Sequence, residues 1–239
     1  MIGIIGAMEE EVRLLGESLE EPRKITTGSL TFWTGRLENC PVVLVQSGIG
    51  KVNAAAACAV LIEKFAPEAV VNTGSAGGLS SGLTFGDLVV AQALVHHDVD
   101  VTAFGYELGQ VPGLPASFQT DARWKNFAER AFEALKKEKL LPEEQSCVTG
   151  LIGSGDVFVH EPEKIASLRA RFPKVCAVEM EGAAIAQICY LFKVPFLAIR
   201  SISDVAGKES PMKFEEFLPL ASRHSAILVQ RLLKEFQVG

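Results

Sequence analysis

The sequence has too little positive charge for a nucleic-acid surface: across 239 residues, 23 Lys and Arg stand against 29 Asp and Glu, a net charge of -6. A surface that tracks phosphate backbones needs the opposite sign, so no nucleic-acid partner is expected. Long hydrophobic runs are also missing. No stretch approaches the about 18 to 20 consecutive apolar residues of a membrane span, and Met1 to Ala7 runs into Glu9, Glu10 and Glu11 rather than a cleavage site. No membrane association is expected, and the protein is expected in the cytoplasm. Paired cysteines are lacking too: Cys40, Cys58, Cys147, Cys176 and Cys189 are odd in number, scattered and without CxxC spacing, so they read as reduced core thiols. Histidine is scarce. Of four, His96 and His97 stand together near Asp98 and Asp100, but adjacent residues on a strand point to opposite faces and cannot share one ion. A structural or loop-anchoring role is expected for them, with no metal and no cofactor. Internal repeats and low-complexity tracts are absent.

What is present is apolar sequence in short runs. Residues of hydrophobic type make up 48% of the chain, enough for a substantial core, and one domain spanning 1–239 is expected. Ile2 to Ile5, Val42 to Gln46, Ala69 to Asn72, Leu88 to Ala91, Leu151 to Gly153 and Phe196 to Arg200 read as strands, most of them buried on both faces. Val52 to Phe65 and Ala183 to Phe192 read as helices between them. Trp124, Phe127, Ala128, Ala131 and Leu135 line one helical face, as do Phe214, Phe217, Leu218, Ala221, Leu228 and Leu232 in a helix from Phe214 to Phe236. Arg23 to Gly35 alternates as a strand pair with one solvated face would. The pattern predicts an α/β fold, a three-layer αβα sandwich with a central mixed β-sheet. His97 to Gln119, rich in Gly, Pro and aromatics and without periodicity, reads as a long ordered loop, a lid or a subunit contact.

Two glycine motifs fail on inspection. Gly3-Ile4-Ile5-Gly6-Ala7 lacks the G-x-G-x-x-G spacing of a dinucleotide site, and in Ser47-Gly48-Ile49-Gly50-Lys51 Val45 and Val52 stand where a P-loop needs Gly and Ser/Thr. Three polar segments remain where open α/β sheets present ligands: Ala7 to Glu11 after the first strand, Val178 to Gly182 opening a helix, and Arg200 to Asp204 ending a strand. Taken singly, Glu9, Glu10 and Glu11 fit a solvated first helical turn, Glu179 and Glu181 fit a helix start, and Asp204 fits a turn. Glycine loops at Asn72-Thr73-Gly74-Ser75-Ala76-Gly77-Gly78 and Gly153-Ser154-Gly155-Asp156-Val157-Phe158 would let backbone approach a ligand.

Taken together, the stretches GIIGAMEEEV, SGIGKVNAA, NTGSAGG, DVTAFGYE, GSGDVF, VEMEGAA and SISDVA, in this order from Gly3 to about Phe217, closely resemble the bacterial 5'-methylthioadenosine/S-adenosylhomocysteine nucleosidases. The resemblance implies a purine nucleoside phosphorylase-like fold and an N-glycosyl hydrolase that releases adenine from a 5'-thio-substituted nucleoside. It implies Asp204 as the general acid toward adenine N7, oriented by Ser203, and Glu11 as the base that activates water, with Ser75 and Arg200 helping to place it. It implies Glu181 on the ribose hydroxyls with the Met180 backbone, Phe158 stacked on adenine and the Val159 backbone on its Watson-Crick edge. Met8, Ile49 and Phe214, with Phe104 and Pro112 from a second subunit, are the implied apolar wall, and Gly77 and Glu179 complete the substrate-contacting set. A homodimer in which loop 97–119 reaches the neighbouring pocket follows from the same likeness.

Departures from the family pattern are His160, where Asn is frequent, and Gly182, where Ala is frequent. Three rival readings bear on function. A phosphorylase of the same superfamily would carry a G-D-P-x-R loop for its anion, whereas here Met8 and Glu11 occupy that place and a carboxylate would repel phosphate. A hydrolase for a futalosine-type nucleoside would share the carboxylates. A non-catalytic nucleoside-binding protein would not need them.

Overall fold

The computed structural model describes residues 1–205 and 210–238. Its first half runs β1 (Ile2–Gly6), α1 (Glu9–Glu17), β2 (Glu20–Thr27), β3 (Leu30–Leu37), β4 (Cys40–Gln46), α2 (Lys51–Phe65), β5 (Ala69–Gly78) and β6 (Leu88–His96). The second half runs β7 (Phe118–Gln119), α3 (Ala122–Lys137), β8 (Cys147–Ser154), α4 (Pro162–Arg171), β9 (Val175–Glu179), α5 (Gly182–Phe192), β10 (Phe196–Val205) and α6 (Ser210–Val238). All the strands join one mixed sheet in the order β10-β6-β8-β9-β5-β1-β4-β3-β2, with β7 on β6.

The sheet mixes directions as expected: β1 is parallel to β4 and β5, whereas β2–β3 and β3–β4 are antiparallel. One feature exceeds the sequence reading. β10 pairs with β5 as well as with β6, so β5, β10, β6, β8 and β9 close into a ring from which β1, β4, β3 and β2 extend. Closure removes free edges on that side. At the other side the edge strand β2 is exposed and carries Glu20, Glu21, Arg23 and Lys24, a charged edge that discourages pairing with another chain.

Alternation along the inner strands feeds two cores. Ile4, Val42 and Leu44 face one layer with Trp124, Phe127 and Ala131 of α3 and Leu228, Val229 and Leu232 of α6. Ile5, Val43 and Val45 face the other, with Ala54, Ala57 and Leu61 of α2 and Ala183, Ile185 and Ala186 of α5. The small residues of α2 and α5 let the two helices lie close together. Burying each large aliphatic or aromatic side chain contributes about 1.5 to 3 kcal/mol, so the two faces together dominate the fold's stability. Cys58 and Cys189 meet across α2 and α5 at 3.7 Å between sulfurs, and all five cysteines are free.

Two sequence expectations are corrected by tertiary pairing. NTGSAGG is strand rather than loop: Thr73 to Gly78 pair with Ile199 to Val205 of β10, and Gly77 and Gly78 also with β9. Val178 and Glu179 end β9 instead of opening a helix, and α5 begins only at Gly182. β9 and α4 had no expectation at all. The segment His97 to Gln119 is mostly irregular, with one 3-10 turn at Thr102–Phe104 and β7 at its end. The His pair is split as expected: His96 Nε2 meets Gln187 Oε1 at 2.9 Å, whereas His97 packs beneath Gly155. Burial lowers the pKa of both imidazoles. Among the described residues no group of three or more His, Cys, Asp or Glu could hold a metal ion, and no helix is long and apolar enough to cross a membrane.

Candidate active site

The C-terminal ends of β1, β5, β9 and β10 meet at one place, beside the first turn of α2. Parallel pairing sets β1, β5 and β10 side by side, and the antiparallel β9 contact brings Val178 against Gly77. A cavity of about 260 Å³ opens there. Its lining includes Met8, Glu11, Ile49, Ser75, Gly77, Phe158, Glu179, Met180, Glu181, Ser203, Asp204 and Phe214, residues that the sequence scatters over more than two hundred positions.

Among the three glutamates of α1, burial chooses one. Glu9 and Glu10 are exposed, whereas Glu11 is buried and folds its carboxylate back over the helix start. Oε2 accepts from the Ala7 amide at 2.8 Å and the Met8 amide at 3.2 Å; Oε1 accepts from the Ser75 amide at 2.9 Å and Ser75 Oγ at 3.0 Å. Four donors compensate the loss of water around this anion. The approach is close: a Cβ at Gly74 would lie 2.6 Å from Oε1, so the β5 backbone can pass only because residue 74 has no side chain.

Beneath the cavity lies a buried ion pair. Arg200 Nη2 donates to Glu179 Oε2 at 2.6 Å and also to Asn72 Oδ1, and Nη1 donates to the Ile199 carbonyl at 2.9 Å. Glu179 accepts further from Ser154 Oγ, from the Glu181 amide at 3.0 Å and from the Gly182 amide at 2.7 Å. Burial raises the Glu179 pKa, but the Arg200 charge and these hydrogen bonds overcome it and hold the carboxyl below its usual value. Arg200 therefore does not face the cavity. Its expected help in placing water would act from below, through Glu179 and Asn72.

Glu181 lacks such compensation. Its Oε1 accepts from the Gly50 amide at 2.7 Å, yet burial, followed by the negative charge of Glu179, pushes its pKa up to about 8 from 4.5. A raised acid holds its proton in the fold while the unfolded chain has lost it. The stability this group contributes is complete below about 4.5 and is lost as pH rises through about 8. Melting temperatures of the unliganded Glu181→Gln variant, taken relative to the native protein, are expected to rise steadily across that window; a constant difference would contradict the assignment.

Asp204 reaches the cavity through a bulge. The β10–β5 register slips between Ile202 and Asp204, which pair with the consecutive residues Ala76 and Gly77, so Ser203 is an extra residue in the ladder. Neighbours on a regular strand diverge, but here both Ser203 and Asp204 line the cavity. Ser203 Oγ donates to Asp204 Oδ1 at 3.2 Å. Gly77 keeps the opposite wall low, since a Cβ there would stand 3.1 Å from Asp204 Oδ2.

At the mouth, Phe158 meets Phe214 edge-on at 5.8 Å and stacks on His160 at 5.5 Å between ring centres. The Val159 side chain is buried and turned into a neighbouring groove beside His97 and Leu168. Phe104 and Pro112 are exposed and do not line this chain's cavity. Ala206, the last residue of the SISDVA stretch, lies outside the described residues. Sequence reasoning missed Ala7, Ala76 and Val178 in the wall, and gave no role to Gly50, Asn72 or Ser154. Asn72 and Ser154 were visible as polar residues inside strand-end motifs, whereas nothing local marks the Gly50 amide as a clamp.

This sheet, with carboxylates gathered at its strand ends, defines a member of the Phosphorylase superfamily, which matches residues 1–234. A 5'-methylthioadenosine/S-adenosylhomocysteine nucleosidase from a Geobacillus strain is 50% identical over 236 residues, 99% of each chain. The crystal structure of the Neisseria meningitidis nucleosidase of that name, in complex with methylthio-immucillin-A, is 47% identical with a TM-score of 0.93 and covers 98% of both chains. The Colwellia psychrerythraea nucleosidase, in complex with adenine, is 49% identical with a TM-score of 0.93, over 98% of this chain and 94% of that one. The chain belongs to the 5'-methylthioadenosine/S-adenosylhomocysteine nucleosidase family, whose members are N-glycosyl hydrolases.

Proposed function

We propose that the protein hydrolyses the N-glycosidic bond of 5'-methylthioadenosine and S-adenosylhomocysteine, releasing adenine and the 5-thio-substituted ribose. The observation that carries this reading is the placement of Glu11, Glu181 and Asp204 around one cavity, each held by different partners. Adenine leaves poorly as an anion, so Asp204 donates a proton to ring N7 as the bond to the anomeric carbon breaks. Positive charge builds on the ribose. Water adds to the anomeric carbon and gives its proton to Glu11, which Ser75 and the Ala7 and Met8 amides hold in place. Glu181 accepts hydrogen bonds from the ribose hydroxyls, and Phe158 stacks on the base. Met8, Ile49 and Phe214 supply the apolar wall for the thioether.

Water is favoured over phosphate as the nucleophile on electrostatic grounds. The Glu11 carboxylate lines the cavity where the nucleophile would stand, and the Arg200 guanidinium, bonded beneath the cavity to Glu179 and Asn72, does not face an incoming anion. An incoming phosphate dianion would be repelled. Adenine release is expected to proceed at the same rate with and without phosphate and to yield the free thio-sugar. A ribose 1-phosphate derivative as product would overturn the reading.

The proposal extends to a cytoplasmic homodimer. The free thiols, Cys58 and Cys189 among them, fit a reducing compartment. Val52 of α2 and Tyr190 and Leu191 of α5 are 79%, 53% and 52% exposed, and Phe104 on loop 97–119 is 80% exposed, apolar side chains that a second subunit would cover. With Phe104 and Pro112 reaching the neighbour's thioether wall, light scattering is expected to give the mass of two chains. Phe104→Ser is then expected to raise KM roughly tenfold with little change in kcat. A monomeric mass, or an unaltered KM in the variant, would count against the shared pocket.

A further inference from the structure

The first turn of α2 holds two carboxylates at once, and only one belongs to the groups given a role above. The Gly50 amide donates to Glu181 Oε1 at 2.7 Å, and the next amide, that of Lys51, donates to Asp156 Oδ1 at 2.8 Å. Asp156 stands two residues before Phe158, on the loop between β8 and α4. Asp98, just beyond β6, closes the arrangement: its Oδ1 accepts from Lys51 Nζ at 2.7 Å and its Oδ2 from the Asp156 amide at 3.0 Å. The ion pair is sheltered, with the Lys51 and Asp98 side chains 20% and 23% exposed. The packing is tight as well, since a Cβ at Gly50 would lie 3.1 Å from Asp156 Oδ1.

On its C-terminal side Phe158 is followed by the buried Val159, but on its N-terminal side the loop has few other tethers. Gly155 is fixed to the Glu179 carbonyl at 3.1 Å, but the next bonds, from the Val157 amide to the Gly155 carbonyl and between His160 Nδ1 and the Phe158 carbonyl, are internal to the loop. The fixed point nearest to Phe158 on its N-terminal side is therefore the Asp156 carboxylate on α2.

We propose that Asp156, braced by Asp98 and Lys51, is a positioning residue that fixes Phe158 over the base half of the cavity and couples it to the Glu181 clamp on the ribose half. The inference rests on the roles proposed above for Phe158 and Glu181. Both halves hang on adjacent amides of one helical turn, so loosening the loop also loosens the clamp. The chemical groups themselves are untouched, and the loss is one of uniform binding, which raises KM and spares kcat.

The test is steady-state kinetics with 5'-methylthioadenosine together with inhibition by adenine. Asp156→Ala is expected to raise both KM and the adenine inhibition constant about tenfold, the scale of one charge-assisted hydrogen bond, with kcat within about threefold and the melting temperature unchanged. Asp156→Asn, which keeps an acceptor oxygen for the Lys51 amide, is expected to recover most of the loss. Asp98→Ala and Lys51→Met are each expected to cost about threefold, and the double variant no more than the worse single one, because both remove the same pair. An Asp156→Ala enzyme with native KM and native adenine inhibition overturns the proposal. So does a fall in kcat at constant KM, which would put Asp156 in the chemical step. Failure of the nucleosidase reading would appear separately, as no adenine released by the native protein.

Discussion

Asp204→Asn is expected to slow adenine release about a thousandfold, within the range that general acids contribute, while the melting temperature stays close to native. The substitution preserves shape, and Asn still offers an oxygen to Ser203 Oγ, which now donates to Asp204 Oδ1 at 3.2 Å. What disappears is a proton that can be handed to the base. A diagnostic follows from the leaving group: a riboside of nitrophenol, which departs without protonation, should lose far less than the adenine nucleoside. Equal losses on both substrates would mean that Asp204 only shapes the pocket, and near-native adenine release would remove it from the mechanism.

The second large effect concerns Glu11. Its carboxylate receives four hydrogen bonds, two on each oxygen, so a Gln in its place must turn an NH₂ group toward two donors. Glu11→Gln is therefore expected to lose about 1 to 3 kcal/mol of stability from the mispaired amide as well as about a thousandfold in turnover from the missing base. Glu11→Ala separates the two effects. It leaves room for a small anion, and azide, which attacks the anomeric carbon without giving up a proton, should restore adenine release and yield the azido sugar. Glu10→Gln, at an exposed position on the same turn, is expected to stay within about twofold of native on both measures. Should Glu10→Gln prove the inactive variant, the assignment of the base is wrong.

Much of the architecture was legible because burial on both faces leaves a plain mark. Ile2 to Ile5, Val42 to Val45 and Phe196 to Ile199 are continuous runs without a polar side chain, and each lies inside a strand of the sheet. The helical face of Trp124, Phe127, Ala128, Ala131 and Leu135 is buried in full. What could not be read locally depends on distant partners. Thr73 to Gly78 look like a glycine loop until β9 and β10 pair with them. Val175 to Glu179 runs into the segment that opens α5, and its strand character shows only in its pairing with β5 and β8.

The site divides in the same way. The motif resemblance pointed to Asp204, Glu181 and Glu11, but periodicity could not choose among Glu9, Glu10 and Glu11, and the fold supplies the physical difference by burying Glu11 and leaving the other two in water. The family resemblance implied that Arg200 helps to place the water. Its guanidinium instead answers the Glu179 carboxylate from underneath, a contact between β10 and β9 that no spacing encodes.

The extra residue in β10 makes the catalytic strand sensitive to length as well as to chemistry. Ser203 is accommodated only because the ladder slips by one position between Ile202 and Asp204. Deleting a single residue upstream would let the strand regain regular pairing and swing the terminal carboxylate away from the base, with every functional group still present in the chain. A one-codon deletion upstream in β10 is thus expected to silence the enzyme by miscounting, without replacing any side chain that lines the cavity.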